Sequence, residues 1–179
     1  MRPPFQVNLH CHNVGKMFNY FTKVLDFQPD FRVRDERGDH VYAGVTFVSG
    51  TNRVPIVLGG VEEALHGSYD HGEFGKALED HPLGTGVVLY FYLPNVDRYY
   101  QEIVKRGAMI DEPPTDQFWG NRTISVLTPD NYYLTFATPI KGFRFPPAFD
   151  ERMETFKRPR SHMKRITRRT LVGRRRGPR

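Results

Sequence analysis

Phe118-Trp-Gly-Asn-Arg-Thr-Ile-Ser-Val-Leu-Thr-Pro-Asp-Asn-Tyr-Tyr-Leu-Thr-Phe136 sets two apolar runs around a turn. Arg122–Leu127 and Tyr132–Ala137 read as strands. Asn131, within Pro129-Asp-Asn131, suits the tight turn between them, because asparagine tolerates left-handed backbone. Upstream, Gly86 to Leu93 alternates, with Val87, Leu89, Phe91 and Leu93 on one face and Val88, Tyr90 and Tyr92 on the other. That two-residue period is a strand. Pro94-Asn-Val96 opens a helix that runs to about Arg106, and Gly107 closes it. A further strand is expected at Ala108–Asp111. The order is β-α-β-β-β.

The first half of the chain repeats it. From Phe5 to His12, Val7, Leu9 and Cys11 face one side, and Gln6, Asn8, His10 and His12 face the other. Asn13 is placed to cap a helix of about three turns, in which Val14, Met17, Phe18, Phe21 and Leu25 recur at helical spacing. Strands follow near Phe31–Arg34, His40–Val48 and Arg53–Leu58, separated by Asp35-Glu-Arg-Gly38 and Ser49-Gly-Thr-Asn52. Leu9-x-x-x-Asn13-Val14 matches Phe91-x-x-x-Asn95-Val96 at an offset of 82. An internal repeat dictates architecture. The expected class is α+β, with two tandem βαβββ modules, about 5–59 and 86–138. The joining segment, 60–85, is rich in Gly, His, Asp and Glu, with a short helix expected near Val61–Leu65.

Beyond Pro139, the prolines at 146, 147, 159 and 178 and the density of arginine argue against further core. The expected division is a folded domain over 1–140 and a basic, Pro/Arg-rich tail over 141–179. Fourteen of the 26 Lys/Arg and three of the 20 Asp/Glu lie in that tail. It carries +11, which leaves the remainder at −5, so the +6 of the whole chain belongs to the appendage. Arg158, Arg160, Lys164, Arg165, Arg168, Arg169, Arg174, Arg175 and Arg176 form clusters able to neutralise phosphates, or to meet an acidic partner, without reading sequence. Phe143, Phe145 and Phe149, with Pro146 and Pro147, suggest an extended arm laid on the body or on a second subunit.

No apolar run is long enough to span a bilayer. The N-terminal stretch lacks the apolar core of a secretory signal. The single cysteine, Cys11, excludes an intrachain disulfide framework and a multi-cysteine zinc site. These features fit a reducing, cytoplasmic setting. Neither a nucleophile elbow nor a phosphate-cradling loop nor a dinucleotide fingerprint is present.

The layout resembles the vicinal oxygen chelate superfamily, which includes glyoxalase I, extradiol dioxygenases and the bleomycin-resistance proteins. The 118–136 stretch looks like that family's "WG-x-R, strand, DPDGN, strand" ending, and Phe18-Asn-Tyr-Phe-Thr-Lys-Val-Leu-Asp-Phe27 looks like its "FY…LGF". Asp26 and Asn131 stand where glycine is usual, and Thr128 where Asp is usual. The resemblance implies two open, curved half-barrels enclosing a cleft, and often a homodimer that exchanges modules. It also implies metal-ligand positions on the first and last strand of each module. Carried over, these fall at Gln6, about Val57, Val88 and Thr135. Valine offers no donor and threonine a poor one, so no cofactor is expected. A divalent metal is the alternative, with His10 and His12 as the fallback pair. Those two histidines also suit a bland role as polar rim groups.

The alternation puts Gln6, Asn8, His10, Val88, Tyr90, Tyr92 and Thr135 on the expected cleft face, with Trp119 on the loop feeding it. Apolar walls with a few polar groups suit a small amphipathic or aromatic ligand, and the tyrosines suit plain interior packing equally. His10 is the best-placed catalytic acid or base. Cys11 reads as buried packing. The preferred reading is metal-free small-molecule binding of the sequestration or resistance type. The alternatives are a superfamily lyase, isomerase or dioxygenase, and an interaction protein that binds nucleic acid through its tail.

Overall fold

Asn13 and Asn95 do the same job 82 residues apart. Both are extended at φ −139° and −151°, and each side chain accepts a backbone N–H, from Lys16 at 2.7 Å and from Arg98 at 2.9 Å. Each thus satisfies a donor that the first helical turn leaves open. The computed structural model describes residues 5–62, 77–78 and 82–146. Apart from Pro146, all of these lie in one compact unit, Met1–Phe145. The tail clusters, His66, His71, His81 and most of the helix expected near Val61–Leu65 lie outside the described residues.

In the first module, β1 (Val7–Cys11) leads into α1 (Val14–Asn19), then β2 (Gln28–Arg34), β3 (His40–Ser49) and β4 (Asn52–Gly60). In the second, β5 (Val88–Tyr92) leads into α2 (Val96–Lys105), then β6 (Met109–Asp116), β7 (Asn121–Leu127) and β8 (Tyr133–Pro139). The sheets are open and four-stranded, ordered β1-β4-β3-β2 and β5-β8-β7-β6. In each, the first strand pairs parallel with the last and the other pairs are antiparallel. The two-module α+β expectation holds.

Two local expectations change. The first helix is regular only through Asn19; Tyr20–Val24 then form a π-helical turn, with Leu25 N–H bonding Tyr20 C=O at 3.1 Å. The expected apolar stripe is nonetheless buried along its length. The other change is in β6, which continues past Asp111 to Asp116 through Pro113 and Pro114. Proline is tolerated there because β6 is an edge strand with no second neighbour awaiting its N–H. Asp26 and Asn131 both have left-handed backbone, φ 63° and 62°. These are the positions of expected glycines, and Asp and Asn are the residues that bear that conformation best. Thr128 is buried in the same turn as Asn131, and its Oγ1 accepts the Tyr132 N–H at 3.0 Å.

The modules are joined through their inner faces. Phe27 and Phe47 of the first meet Phe91 and Phe136 of the second with ring centroids 4.9–6.5 Å apart. Three tyrosine hydroxyls cross the junction. Tyr20 donates to Leu127 C=O at 2.9 Å and accepts from Met109 N–H at 3.0 Å. Tyr99 donates to Leu25 C=O at 2.8 Å, and Tyr132 to His10 C=O at 2.7 Å. Arg106 closes the edge on Asp26 at 2.7 Å. Burying an aromatic ring of this kind stabilises the fold by about 1.5–3 kcal/mol. Among the described residues no helix is long and apolar enough to cross a membrane.

Candidate functional site

Because the inner faces are spent on the shared core, each sheet keeps an outer face. On β1, Leu9 and Cys11 are buried inward, while Gln6 and Asn8 are exposed and His10 half-buried. Gln6 Nε2 donates to Asn8 Oδ1 at 2.7 Å, so these side chains share the outer face as the alternation predicts. The register sets Asn8 beside Val57, Gly44 and Phe31, and His10 beside Gly59 and Tyr42. The missing side chains matter. A Cβ on Gly44 would stand 2.3 Å from the Phe31 ring, and one on Gly59 would stand 3.3 Å from the ring of Tyr42 and 3.7 Å from His10 Nδ1. The two glycines let aromatic rings lie flat across the outer face. Sequence reasoning missed Phe31 and Tyr42, although a glycine inside a strand is the signal of such a close approach.

The second outer face is aromatic. Val88, Tyr90 and Tyr92 project outward and are 57, 37 and 54% exposed. Tyr90 and Tyr92 therefore do not pack in an interior, and their rings lie 5.2 Å apart. Trp119 donates Nε1–H to Tyr90 Oη at 3.3 Å, and Asn121 Nδ2 approaches the same oxygen at 3.4 Å. Trp119 remains 39% exposed and Phe118, edge-on to it, 67%. The loop thus lays Trp119 on the outer face rather than in a barrel interior. Thr135 sits between Tyr90 and Ser125 in the register and is buried. The described start of the C-terminal arm reaches this region: a Cβ on Gly120, at φ +88°, would strike the Phe143 ring at 2.3 Å.

Within one chain, Gln6, Asn8 and His10 come together, and so do Val88, Tyr90, Tyr92, Thr135 and Trp119. The structure does not bring the two sets together, since they lie on the far sides of the shared core. A cavity of about 950 Å³ at the end of the first sheet is lined by His12, His40, Arg34 and Glu62 among others, and by none of the other expected ligand residues. His40 has its pKa held below the ordinary histidine value, by burial first and by Arg34 and Arg32 next.

Cys11 is fully buried, with its thiol pushed up to about 12 by burial and then by Asp130, and its Sγ lies 3.4 Å from Gly59 C=O. A thiol so placed is not a nucleophile. The implied metal positions do not supply a donor set. The register sets Val57 beside Asn8 and Thr135 beside Tyr90, so Gln6 and Val88 each fall two residues out of step with their carried-over partners. Two of the four are hydrocarbon side chains. His10 and His12 also part company. The strand ends at Cys11, and His12 turns to the cavity while His10 stays beside Gly59. Among the described residues no three His, Cys, Asp or Glu side chains group closely enough to hold an ion.

The sequence model of the Glyoxalase/Bleomycin resistance protein/Dioxygenase superfamily matches residues 5–136. No curated protein sequence matches significantly. Among solved structures, the fold is similar to that of a glyoxalase/bleomycin resistance protein/dioxygenase from Nocardioides. The TM-score is 0.59 at 20% identity, over 80% of this chain and 88% of that one. It is also similar to TioX from Micromonospora sp. ML1, with a TM-score of 0.56 at 18% identity, over 75% and 97% of the two chains. A glyoxalase/bleomycin resistance protein/dioxygenase family enzyme from Burkholderia phytofirmans PsJN gives 0.56 at 16% identity, again over 75% and 97%.

Proposed function

This chain belongs to the Glyoxalase/Bleomycin resistance protein/Dioxygenase superfamily, and on that premise we propose that it is a metal-free small-molecule binding protein acting as a homodimer. The ligand is enclosed between the first outer face of one copy and the second outer face of the other. The observation that carries this reading is that, among the described residues, every exposed aromatic side chain except Phe5 lies on the two outer faces or the loop over them. Phe31, Val88, Tyr90, Tyr92, Phe118 and Trp119 are all between 37 and 67% exposed, and all belong to the two outer faces or the loop over them. An apolar surface of this extent on a soluble-type fold marks an interaction site. The two faces also divide the work of a binding site: amides and an imidazole on one, aromatic rings on the other.

Binding without chemistry follows from what the faces hold. Two of the four implied metal positions carry valine, which offers no donor, and threonine at a third is a poor one. Sedimentation at micromolar concentration is expected to give twice the chain mass. Protein purified without chelator is expected to hold less than about a tenth of an equivalent of any transition metal. A monomer would remove the enclosed cleft. Stoichiometric metal would move the enzyme reading to the front.

A further inference from the structure

Resting on that reading, we infer that the ligand is an organic cation, its charge set against Asp111 and Glu112 and its body against the rings of Tyr90, Tyr92 and Trp119. Regular alternation would send Asp111 and Glu112 to opposite faces of β6. The register prevents this. Ile110 pairs with Val126 and Glu112 with Ser125, so one extra residue is inserted between successive pairs. Val126 is fully buried in the core, and Ser125 lies in the outer row with Thr135 and Tyr90. Ile110 therefore points inward and Glu112 outward. The bulged residue, Asp111, turns outward too, where its Oδ2 accepts the Tyr133 hydroxyl at 2.7 Å. A bulge commonly re-aims a side chain in this way. Here it places two successive carboxylates on one face.

Both are positioned by neutral donors. Glu112 Oε1 accepts Gln117 Nε2 at 3.2 Å, and the same amide donates to Thr123 at 3.0 Å. Neither carboxylate forms an ion pair with a described residue. The four strands of this sheet carry one cation, Arg122, and it is turned to the α2 side, held by Asp97 at 2.9 Å and Asp116 at 2.8 Å. The negative charge is thus left uncompensated by the sheet. It lies on the same face as the exposed aromatic wall but at the opposite edge, with β7 and β8 between them. A ligand that meets both spans the face, about 14 Å at the usual strand spacing. Charge and rings together are the complement of a cation with a flat or apolar body, since ring faces attract positive charge as the carboxylates do. Tyr133 reports the same field. Its strongest influence, a hydrogen bond with Ser125, lowers its pKa, but burial, the Asp111 bond and the charges of Asp111 and Glu112 together raise it. The first module has a register shift at the equivalent place, between Pro29 and Phe31, but a single carboxylate there, Asp30, which accepts the Thr46 hydroxyl at 2.6 Å.

The test compares proflavine, a flat tricyclic cation, with anthracenecarboxylate, a flat tricyclic anion, by calorimetry on the full chain. Trp119, the only tryptophan, serves as a fluorescent reporter of the face. Proflavine is expected to bind at least about tenfold more tightly. Added salt is expected to weaken proflavine and spare the anion. The double variant D111N/E112Q is expected to bring the two affinities within about threefold. Should the anion bind as well as the cation, or the double variant keep the full preference, the assignment of charge falls and the binding cleft stands. Should neither probe bind nor quench Trp119 up to about millimolar concentration, the cleft reading falls and takes this inference with it. The salt series needs no variant, so poor folding of the double variant leaves the inference open to refutation.

Discussion

The two modules share a strand order, a pairing pattern and a capping asparagine, yet their outer faces have little chemistry in common. The first face offers Gln6, Asn8 and His10, with Phe31 and Tyr42 laid over glycines. The second offers Tyr90, Tyr92 and Trp119 at one edge and Asp111 and Glu112 at the other. Their inner faces stay alike: Leu9 and Cys11 on one, Leu89 and Phe91 on the other, each packed under a helix. The repeat is preserved where burial demands it and lost where nothing in the chain is touched. Inner positions answer to packing, and outer positions answer to a ligand or a second copy.

The strongest way to break this comparison is at the ring cluster that both modules share. Phe136 is fully buried and meets Phe27, Phe47, Phe91 and Tyr99. Phe136→Ala is expected to cost about 3–5 kcal/mol, read by urea unfolding. It should lower one cooperative transition for the whole unit. If the modules were independent, tryptophan fluorescence, which reports only the second sheet, would shift while the first sheet kept its midpoint.

The next effect is smaller and depends on pH. Tyr132 is pushed up to about 12 from an ordinary value of 10, by burial first and then by Cys11 and Asp130, against the opposing bond to His10. Tyr20 and Tyr99 are also raised, burial being the first cause in both. A group whose pKa is higher folded than unfolded favours the fold while it stays protonated. Its contribution is whole below the unfolded value and fades as pH rises through the folded one. Thermal stability is therefore expected to fall between about pH 10 and 12, with Cys11 starting the decline nearer its ordinary 9.0. Tyr132→Phe removes the hydroxyl from His10 C=O. It should cost about 1–3 kcal/mol at neutral pH and flatten the alkaline slope.

Much of this was legible in the residues. The period of two in β1 and β5 named the inner and outer sets correctly, because each strand is buried on one side only. The offset of 82 predicted two equivalent caps, and both exist. What failed was everything that depends on a register. Asp111 ended a strand in the sequence reading, and only pairing with Val126 and Ser125 shows that β6 bulges there and carries on. Phe31 and Tyr42 were silent for the same kind of reason: their rings matter because Gly44 and Gly59 sit opposite, which is a cross-strand fact. How a cleft closes, within one chain or across two, stayed open because alternation says which side chains share a face of one sheet, and nothing about how two sheets meet. The π-helical turn went unseen because its apolar spacing still fits a regular helix of three turns.

The smallest effect sharpens the comparison between the two caps. Asn13→Ala and Asn95→Ala each remove one acceptor from a helical N-terminus, a loss of about 0.5–2 kcal/mol. The second helix has insurance. Thr138 Oγ1 accepts Val96 N–H at 2.9 Å, and Asp97 lies in the first turn, where negative charge opposes the helix dipole. The first helix has no acid in its first turn and only six regular residues before the π-helical turn. Asn13→Ala is therefore expected to cost more than Asn95→Ala, by about 0.5 kcal/mol, measured as the difference between two urea midpoints. Equal losses would mean that the modules are interchangeable at their helix starts as well as in their strand order, and that the contrast between them is confined to the outer faces. A larger loss for Asn95→Ala would mean that the Thr138 bond depends on the cap rather than standing in for it.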